Sequence, residues 1–242
     1  VRLVDESTVH KHFHSVVDAT NEECEMSVDL SDEDTVNRLE AGFRANSMNQ
    51  AIEGAIGAVD GLLVRIRCPS SKESDNPSRF CCRKKFCALN MQATCDSDGR
   101  FMDVDISTTG TANDSMALLC SPLFQDLQRG MPPKGFFVTG DAAHGSSEVL
   151  VCSFSGSLTP DQDNCNFAIS QLRTIMECAF GRLVGRFGLL WRPMRFGHPT
   201  CIKVVMAMCK LHNLTMSHDI SEAVRSSDNG AHIESLVDSL IR

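Results

Sequence analysis

The stretch that decides the fold is Ala55-Ile-Gly-Ala-Val-Asp-Gly-Leu-Leu-Val-Arg-Ile66, a run of small, apolar and β-branched residues. Such a composition is typical of a buried strand. Asp60 and Gly61 interrupt the run and place one carboxylate within it. The stretch therefore predicts a strand that carries an acidic group into the interior.

Two further strands are predicted directly after it. Residues 67–80 are rich in Ser, Pro and Asn and indicate a loop. Phe86 to Cys95 and Phe101 to Ser107 read as strands on either side of an Asp98-Gly99 turn. Because these three strands follow one another closely along the chain, we expect them to form a meander.

Helices and strands alternate in the remainder. A helix is predicted from Asp114 to about Arg129, although Pro122 argues against one continuous helix. Gly135 to Thr139 is a short strand that ends at Gly140-Asp141, and we expect it to pair in parallel beside the first strand. A strand at 148–154 and helices at 164–190 and 200–214 complete an α/β fold with a mixed sheet flanked by helices.

Charge is unevenly distributed. The net charge is −8, which excludes a uniformly basic nucleic-acid coat protein. Residues 1–60 hold 13 acidic against 4 basic residues, whereas 61–100 are net +4 and 173–210 net +6. An acidic arm, with predicted helices at 7–19 and 33–46, therefore precedes a body with two basic stretches.

The chain shows neither a signal-peptide core nor an apolar run of about 18 residues, so we expect no membrane association. It contains 12 Cys and no Tyr. No paired C-x-x-C motif is present, although Cys81, Cys82, Cys87 and Cys95 lie close in sequence, so a structural zinc site is disfavoured. We expect the cysteines to be small buried residues of a reduced, intracellular protein.

Three carboxylates stand at informative places. Asp60 lies in the first strand, Asp141 ends the strand that we expect beside it, and Glu177 lies in the long helix. Converging carboxylates repel each other unless cations bind them. Hard oxygen ligands suit two Mg²⁺ or Mn²⁺ ions, a pair that promotes phosphodiester cleavage. Among 31 acidic residues such a triple also arises by chance, and spacing alone leaves the question open.

The short sequence motifs around these residues are similar to those of a known family. Seven segments occur in order within about residues 50–215: Ala55–Gly61, Phe86–Asp96, Arg100–Val104, Gly110–Ser115, Gly140–His144, Ser170–Leu183 and Leu211–Asn213. Together they resemble the DDE superfamily endonucleases of the PIF/Harbinger transposase type. The matches include a first-Asp strand, Gly-x-x-x-Asp-Ser, Gly-Asp-x-x, an Ala-Phe-Gly helix and Leu-His-Asn.

The resemblance implies an RNase H-like core over 51–215, with Asp60, Asp141 and Glu177 binding two divalent ions to cut DNA. Residues 1–50 would be a helical arm, similar to the tail of a helix-turn-helix region, and 216–242 a helical tail. Asp114 would be an accessory residue of the family pattern. His144, three residues past Asp141, is a second accessory candidate, and the alternative for it is an ordinary loop histidine. The resemblance also implies a nuclear location and a Myb-like DNA-binding partner, and it leaves the oligomeric state open.

Departures from the family pattern keep an alternative open. Leu62-Leu63 stands where many members have Thr-His, and His144 stands where Tyr is usual. A catalytically inactive, domesticated transposase that binds DNA or protein is the alternative function.

Five basic residues are candidates for contact with DNA phosphates: Arg83, Lys84, Lys85, Arg182 and Arg186. The alternative for each is an ordinary solvated surface. Arg173, four residues before Glu177, either orients that carboxylate or forms a surface ion pair.

Overall fold

The computed structural model describes residues 5–216. The chain divides into two compact units, one formed by Met26–Ile202 and the other by residues up to Glu25 together with residues from Lys203 onward. The helices are α1 (Glu6–Glu23), α2 (Glu33–Asn46), α3 (Asp114–Leu119), α4 (Pro122–Gln128), α5 (Pro160–Arg186) and α6 (His198–Met216). The strands are β1 (Ala55–Arg65), β2 (Ala88–Cys95), β3 (Phe101–Thr109), β4 (Phe137–Gly140) and β5 (Leu150–Cys152).

The strands form one mixed sheet in the order β3-β2-β1-β4-β5. β1, β2 and β3 pair antiparallel as a meander, while β4 lies parallel to β1 and β5 parallel to β4. The predicted meander and the predicted parallel placement of the fourth strand are both confirmed. This mixed sheet with flanking helices is consistent with the RNase H-like DDE fold.

Helices cover the sheet on both sides, since every residue of β2 is buried. One apolar cluster joins Leu39 of α2 and Leu127 of α4 to Val59 of β1 and Val138 of β4. α5 contacts β1, β2 and β4, and its buried side includes Leu172, which is fully shielded from solvent. The centre of the sheet, where β1 and β4 meet, is therefore held rigidly from both faces.

The segment predicted as one helix from Asp114 to Arg129 is two helices. Ser121 lies between α3 and α4. It caps α4, because its hydroxyl accepts a hydrogen bond from the Phe124 backbone N–H. Pro122 is the first residue of α4, a position where its missing N–H costs no hydrogen bond. Proline thus starts a new helix here and does not kink an existing one.

The expectation that the cysteines are buried is only partly right. Five of them are buried: Cys82, Cys95, Cys152, Cys201 and Cys209. Five others are exposed: Cys68, Cys81, Cys120, Cys165 and Cys178. The expectation was wrong for these because they lie in loops or on the outer faces of helices, where an apolar residue type does not ensure burial.

In the second unit, α1 packs beside the chain after Lys203. The Lys203 ammonium pairs with Asp18 at 2.8 Å, and Lys210 donates to the backbone carbonyl of Asn21 at 2.6 Å. α1 confirms and extends the predicted helix at 7–19. The predicted helical tail at 216–242 lies, after its first residue, outside the described residues. Among the helices described, none has the length and apolarity needed to cross a membrane.

Candidate active site

Two of the predicted carboxylates are neighbours in the sheet. In the parallel pairing of β1 and β4, Ala58 lies opposite Thr139. Two residues further along each chain come Asp60 and Asp141, so the register brings these side chains to adjacent positions where β4 ends. The chain turns immediately after β4 into a short 3-10 helix, which lets Asp141 leave the sheet at its carboxyl edge.

α5 brings the third carboxylate to the same edge. Glu177 lies in the second half of this 27-residue helix, whose start is fixed by a capping box between Thr159 and Gln162. One turn before Glu177, the guanidinium of Arg173 contacts both acids: Nη2 lies 3.8 Å from Glu177 Oε1 and Nη1 3.9 Å from Asp141 Oδ1. Arg173 therefore links the helix carboxylate to the strand carboxylate.

The three acids differ in their exposure to solvent. Asp141 and Glu177 have side chains that are 46% and 60% exposed, whereas Asp60 is half-buried. Burial raises the pKa of the Asp60 carboxyl above its usual range, and neighbouring Asp141 adds to the increase. The Gly61 backbone N–H, which donates to Asp60 Oδ1 at 2.8 Å, the positive charge of Arg173 and the nearby His144 act in the opposite direction.

Among the described residues, the oxygens of these three carboxylates do not all lie within 4.8 Å of one another. The guanidinium of Arg173 is the positive charge that Asp141 and Glu177 share. Its Nε is buried without a hydrogen-bond partner, so the side chain is held by charge and not by a complete set of hydrogen bonds.

A buried polar network lies beside the carboxylates, and sequence analysis did not identify two of its members. Gln92 donates through Nε2 to Asp114 Oδ1 at 3.3 Å, and Asn90 Nδ2 donates to the same oxygen at 3.2 Å. His144 reaches Gln92 Oε1 through Nε2 at 3.4 Å and contacts the Asp141 carbonyl through Nδ1 at 3.2 Å. Asp114 and His144, predicted as accessory residues, are thus connected through Gln92.

A sequence signal for this network exists. Asn90, Gln92 and Thr94 alternate along β2 in an otherwise apolar strand, so all three point to one face of the sheet. All three are at most 2% exposed. Buried amides need partners, so an alternating polar set of this kind predicts a polar network on that face.

Gly61 makes room for the network. A Cβ at this position would lie 2.6 Å from Gln92 Nε2 and 3.0 Å from Asp114 Oδ1. Steric space therefore requires a glycine after Asp60, because any side chain here would displace the Gln92 amide that connects Asp114 to His144.

The predicted DNA-contacting residues occupy two exposed places. Arg83, Lys84 and Lys85 form the tip of a tight turn before β2, where the Lys85 backbone N–H donates to the Cys82 carbonyl at 2.9 Å. Arg182 and Arg186 lie on the exposed side of α5, and Arg182 Nη1 donates to the Asp98 carbonyl at 3.2 Å.

A shallow, open groove on the exposed face of α5 is lined by side chains of this helix alone, among them Glu177 and Arg182. The basic side chain therefore borders the same groove as the predicted catalytic carboxylate. No other predicted contact residue lines this groove.

Comparisons with known proteins identify the family of the chain. Residues 59–213, more than half of the chain, match the model of the DDE superfamily endonucleases. The chain belongs to this family. The matched segment begins one residue before Asp60 and ends at Asn213, so it includes all three carboxylates.

The chain is similar to several curated proteins, two of which are named here as putative nucleases. It is 30% identical over 173 residues to "Putative nuclease HARBI1" of Rattus norvegicus, covering 68% of this chain and 47% of the relative. The protein of that name in Bos taurus is 27% identical over 175 residues, covering 69% and 47%. "Protein ALP1-like" of Arabidopsis thaliana is 25% identical over 175 residues, covering 65% and 42%. The chain thus spans about half the length of these curated relatives, and no solved structure matches it.

The donor set of the site fits a hard divalent cation. Carboxylate oxygens from β1, from the end of β4 and from α5 are ligands that Mg²⁺ and Mn²⁺ prefer. Members of the DDE endonuclease superfamily generally use divalent metals. The family to which the chain belongs is one of endonucleases, which hydrolyse phosphodiester bonds.

Proposed function

We propose that this chain is a metal-dependent DNA endonuclease, similar to a transposase, with Asp60, Asp141 and Glu177 as its metal-binding residues. The observation that carries the proposal is the parallel register of β1 and β4, which makes Asp60 and Asp141 neighbours at the edge where α5 presents Glu177. The family match covers all three positions.

The residues of the site would bind the metal ions and position one another. Asp60, Asp141 and Glu177 would hold two Mg²⁺ or Mn²⁺ ions. The positive charge of these ions would keep the three carboxylates ionised. When bound, the two ions supply an activated water and stabilise the charge that develops on the phosphate. The Gly61 N–H would orient Asp60, and His144, held by Gln92, would fix the turn that carries Asp141. Hydrolysis would leave a free 3′-hydroxyl, which in a transposase can then attack target DNA.

DNA would reach the carboxylates along the groove on α5. Arg182 borders that groove and Arg186 follows one turn later on the same helix. Arg83, Lys84 and Lys85 would add phosphate contacts from the turn before β2. Contacts of this kind position a duplex and carry no sequence information, so a Myb-like partner would supply the target choice and nuclear entry. We accordingly propose a nuclear location.

Nicking of supercoiled plasmid DNA tests the catalytic proposal. We expect nicking in Mg²⁺ or Mn²⁺ that disappears in EDTA and in Asp141→Asn. Asp126→Asn is the matched control, because Asp126 is an acid on α4 that pairs with Arg129 away from the site. Nicking that persists in Asp141→Asn would show that the triad is wrong.

The alternative is a domesticated, non-catalytic protein that binds DNA or a protein partner. One observation favours it: Arg173 already supplies a positive charge to Asp141 and Glu177. Binding of DNA without nicking, also after a Myb-like partner is added, would support the alternative and exclude the endonuclease.

A further inference from the structure

Three cysteine side chains converge in the body of the fold, and none belongs to the carboxylate site. The Sγ atoms of Cys68, Cys81 and Cys87 all lie within 4.8 Å of one another, and those of Cys81 and Cys87 are 3.3 Å apart. Sulfurs in a tetrahedral zinc site stand roughly 3.8 Å apart, given Zn–S bonds of about 2.3 Å. The cluster therefore has the dimensions of a thiolate metal site and needs only small adjustments of its side chains.

Sequence spacing hides this cluster. The three cysteines are separated by 12 and 5 residues and form no C-x-x-C pair, which is why the sequence disfavoured zinc. The tertiary structure overturns that argument, because Cys81 and Cys87 face each other across an antiparallel bridge and Cys68 arrives from the end of β1.

Backbone hydrogen bonds hold all three positions in place without a metal. Ile66 N donates to the Cys87 carbonyl at 3.0 Å, which fixes the chain two residues before Cys68. Cys82 N donates to the Phe86 carbonyl at 2.9 Å and closes the turn between the other two cysteines. Preorganisation of this kind lowers the entropy that a bound ion would otherwise have to offset.

The loop after Cys68 is also fixed. Glu73 forms an ion pair with Arg67 and accepts a hydrogen bond from the Ser70 backbone N–H at 2.8 Å. The backbone on both sides of Cys68 is therefore anchored, and its Sγ lies within 4.8 Å of Cys87 Sγ.

Basic residues follow the cluster along the chain, whereas burial and the neighbouring thiols of Cys68 and Cys81 raise the pKa of the Cys87 thiol to about 12, so it is a bound cation that would favour the thiolate. Arg83, Lys84 and Lys85 occupy the turn between Cys81 and Cys87, and Arg65 lies over the Phe86 ring at 4.7 Å. Three thiolates with one divalent cation carry a net charge of −1, which these basic residues offset. Cys68 and Cys81 are exposed, so an ion has an entry path and a water-filled fourth position.

We propose that Cys68, Cys81 and Cys87 bind one Zn²⁺ ion as thiolates, with water as the fourth ligand. Zinc accepts such soft sulfur ligands readily, unlike Mg²⁺. The bound ion would join the loop after β1 to the turn that carries Arg83, Lys84 and Lys85. This zinc site does not depend on the proposed endonuclease activity.

Thiol protection in the full, reduced chain tests the proposal. Metal-free protein and protein with one equivalent of Zn²⁺ are treated with N-ethylmaleimide, and the labelled cysteines are mapped by mass spectrometry. Trypsin cuts within 83–85, so Cys81 and Cys87 fall on different peptides. We expect Zn²⁺ to slow labelling of Cys68, Cys81 and Cys87, whereas exposed Cys120 and Cys165 stay unchanged.

Substitution gives an independent readout. Cys68→Ser should weaken Zn²⁺ binding by more than about 100-fold, since even changes in outer-shell partners cost roughly 10- to 100-fold. Cys120→Ser should bind as the unchanged chain does. Co²⁺ should produce thiolate-to-metal charge-transfer absorption in the unchanged chain, and this absorption should persist in Asp141→Asn.

Three results would overturn the zinc site. The first is labelling that Zn²⁺ leaves unchanged at the three cysteines. The second is Zn²⁺ affinity that survives Cys68→Ser in a variant whose circular dichroism shows an intact fold. The third is a Cys81–Cys87 disulfide that forms in air while the reduced protein takes up no zinc, which would assign a redox role to the pair.

Discussion

Arg173 occupies the position that decides how strongly the carboxylates attract a cation. Its guanidinium lies 3.8 Å from Glu177 Oε1 and 3.9 Å from Asp141 Oδ1. At these separations each ion pair is worth about 1 kcal/mol in a dielectric near that of water. The value for a dielectric near that of water applies because both carboxylates are about half exposed. The two ion pairs together therefore stabilise the ionised carboxylates by about 1–2 kcal/mol.

A divalent ion must compete with this guanidinium for Asp141 and Glu177. Arg173→Met frees both carboxylates, so we expect Mg²⁺ to bind more tightly by the free energy of the lost pairs. A gain of about 1–2 kcal/mol corresponds to a dissociation constant that is about 5- to 30-fold lower. Without metal, stability should change by less than about 1 kcal/mol, because the substitution also removes the unpartnered Nε, whose burial is itself unfavourable.

Urea unfolding in EDTA and at increasing Mg²⁺ measures both quantities. Bound Mg²⁺ stabilises the folded state in proportion to the logarithm of its concentration over the dissociation constant. The midpoint of Arg173→Met should therefore rise at lower Mg²⁺ than that of the unchanged chain. Arg129→Met is the matched control, since Arg129 pairs with Asp126 on α4 and should leave the Mg²⁺ dependence unchanged.

Mg²⁺ affinity that is equal or weaker in Arg173→Met would refute this reasoning. It would mean that Arg173 does not compete with the ion, or that it holds Asp141 and Glu177 in the arrangement that the ion needs.

Three further predictions concern DNA binding, the polar network and the core. Lys84→Gln should weaken DNA binding similarly for all sequences and reduce the slope of log affinity against log salt by about 1, measured by fluorescence anisotropy at several salt concentrations. Gly61→Ala should cost about 1–3 kcal/mol in urea unfolding, because its Cβ meets Gln92 Nε2 at 2.6 Å. The Asp103 carboxylate accepts a hydrogen bond from the Ser121 hydroxyl at 2.5 Å, and burial raises the pKa of this carboxyl. The folded state is therefore destabilised as the pH rises from the pKa of about 4 in the unfolded chain through the higher pKa in the folded chain. Asp103→Asn should therefore be more stable than the unchanged chain at pH 7, with a difference that vanishes below about pH 4.

Each of these has a control or a contradicting outcome. Lys134→Gln, an exposed lysine at the opposite end of β4, should leave the salt slope unchanged. Unfolding of Gly61→Ala at the original midpoint would show that Gln92 moves aside freely. A stability difference for Asp103→Asn that persists at low pH would indicate lost packing and not charge burial.

Much of the fold was predictable because local signals agreed with the tertiary environment. The β-branched run around Asp60 is a strand, and the Asp98-Gly99 turn joins the next two strands as expected. Pro122 was recognised as a break, but its role as the first residue of α4 depends on the Ser121 cap, which only the structure shows. The candidate site followed from a resemblance to a family, since 31 acidic residues permit many triples.

The sequence by itself determined the order of the elements, the residue types at the acidic edge and the family to which the chain belongs. Those properties are local, because alternation of apolar residues, turn residues and short motifs can be recognised within a few positions. Only the tertiary structure decided which distant groups meet. Arg173 reaches Asp141 from another element, Gln92 connects His144 to Asp114, and Cys68 joins Cys81 and Cys87. Such contacts depend on strand register and helix packing, which are set by the whole core and not by any single segment.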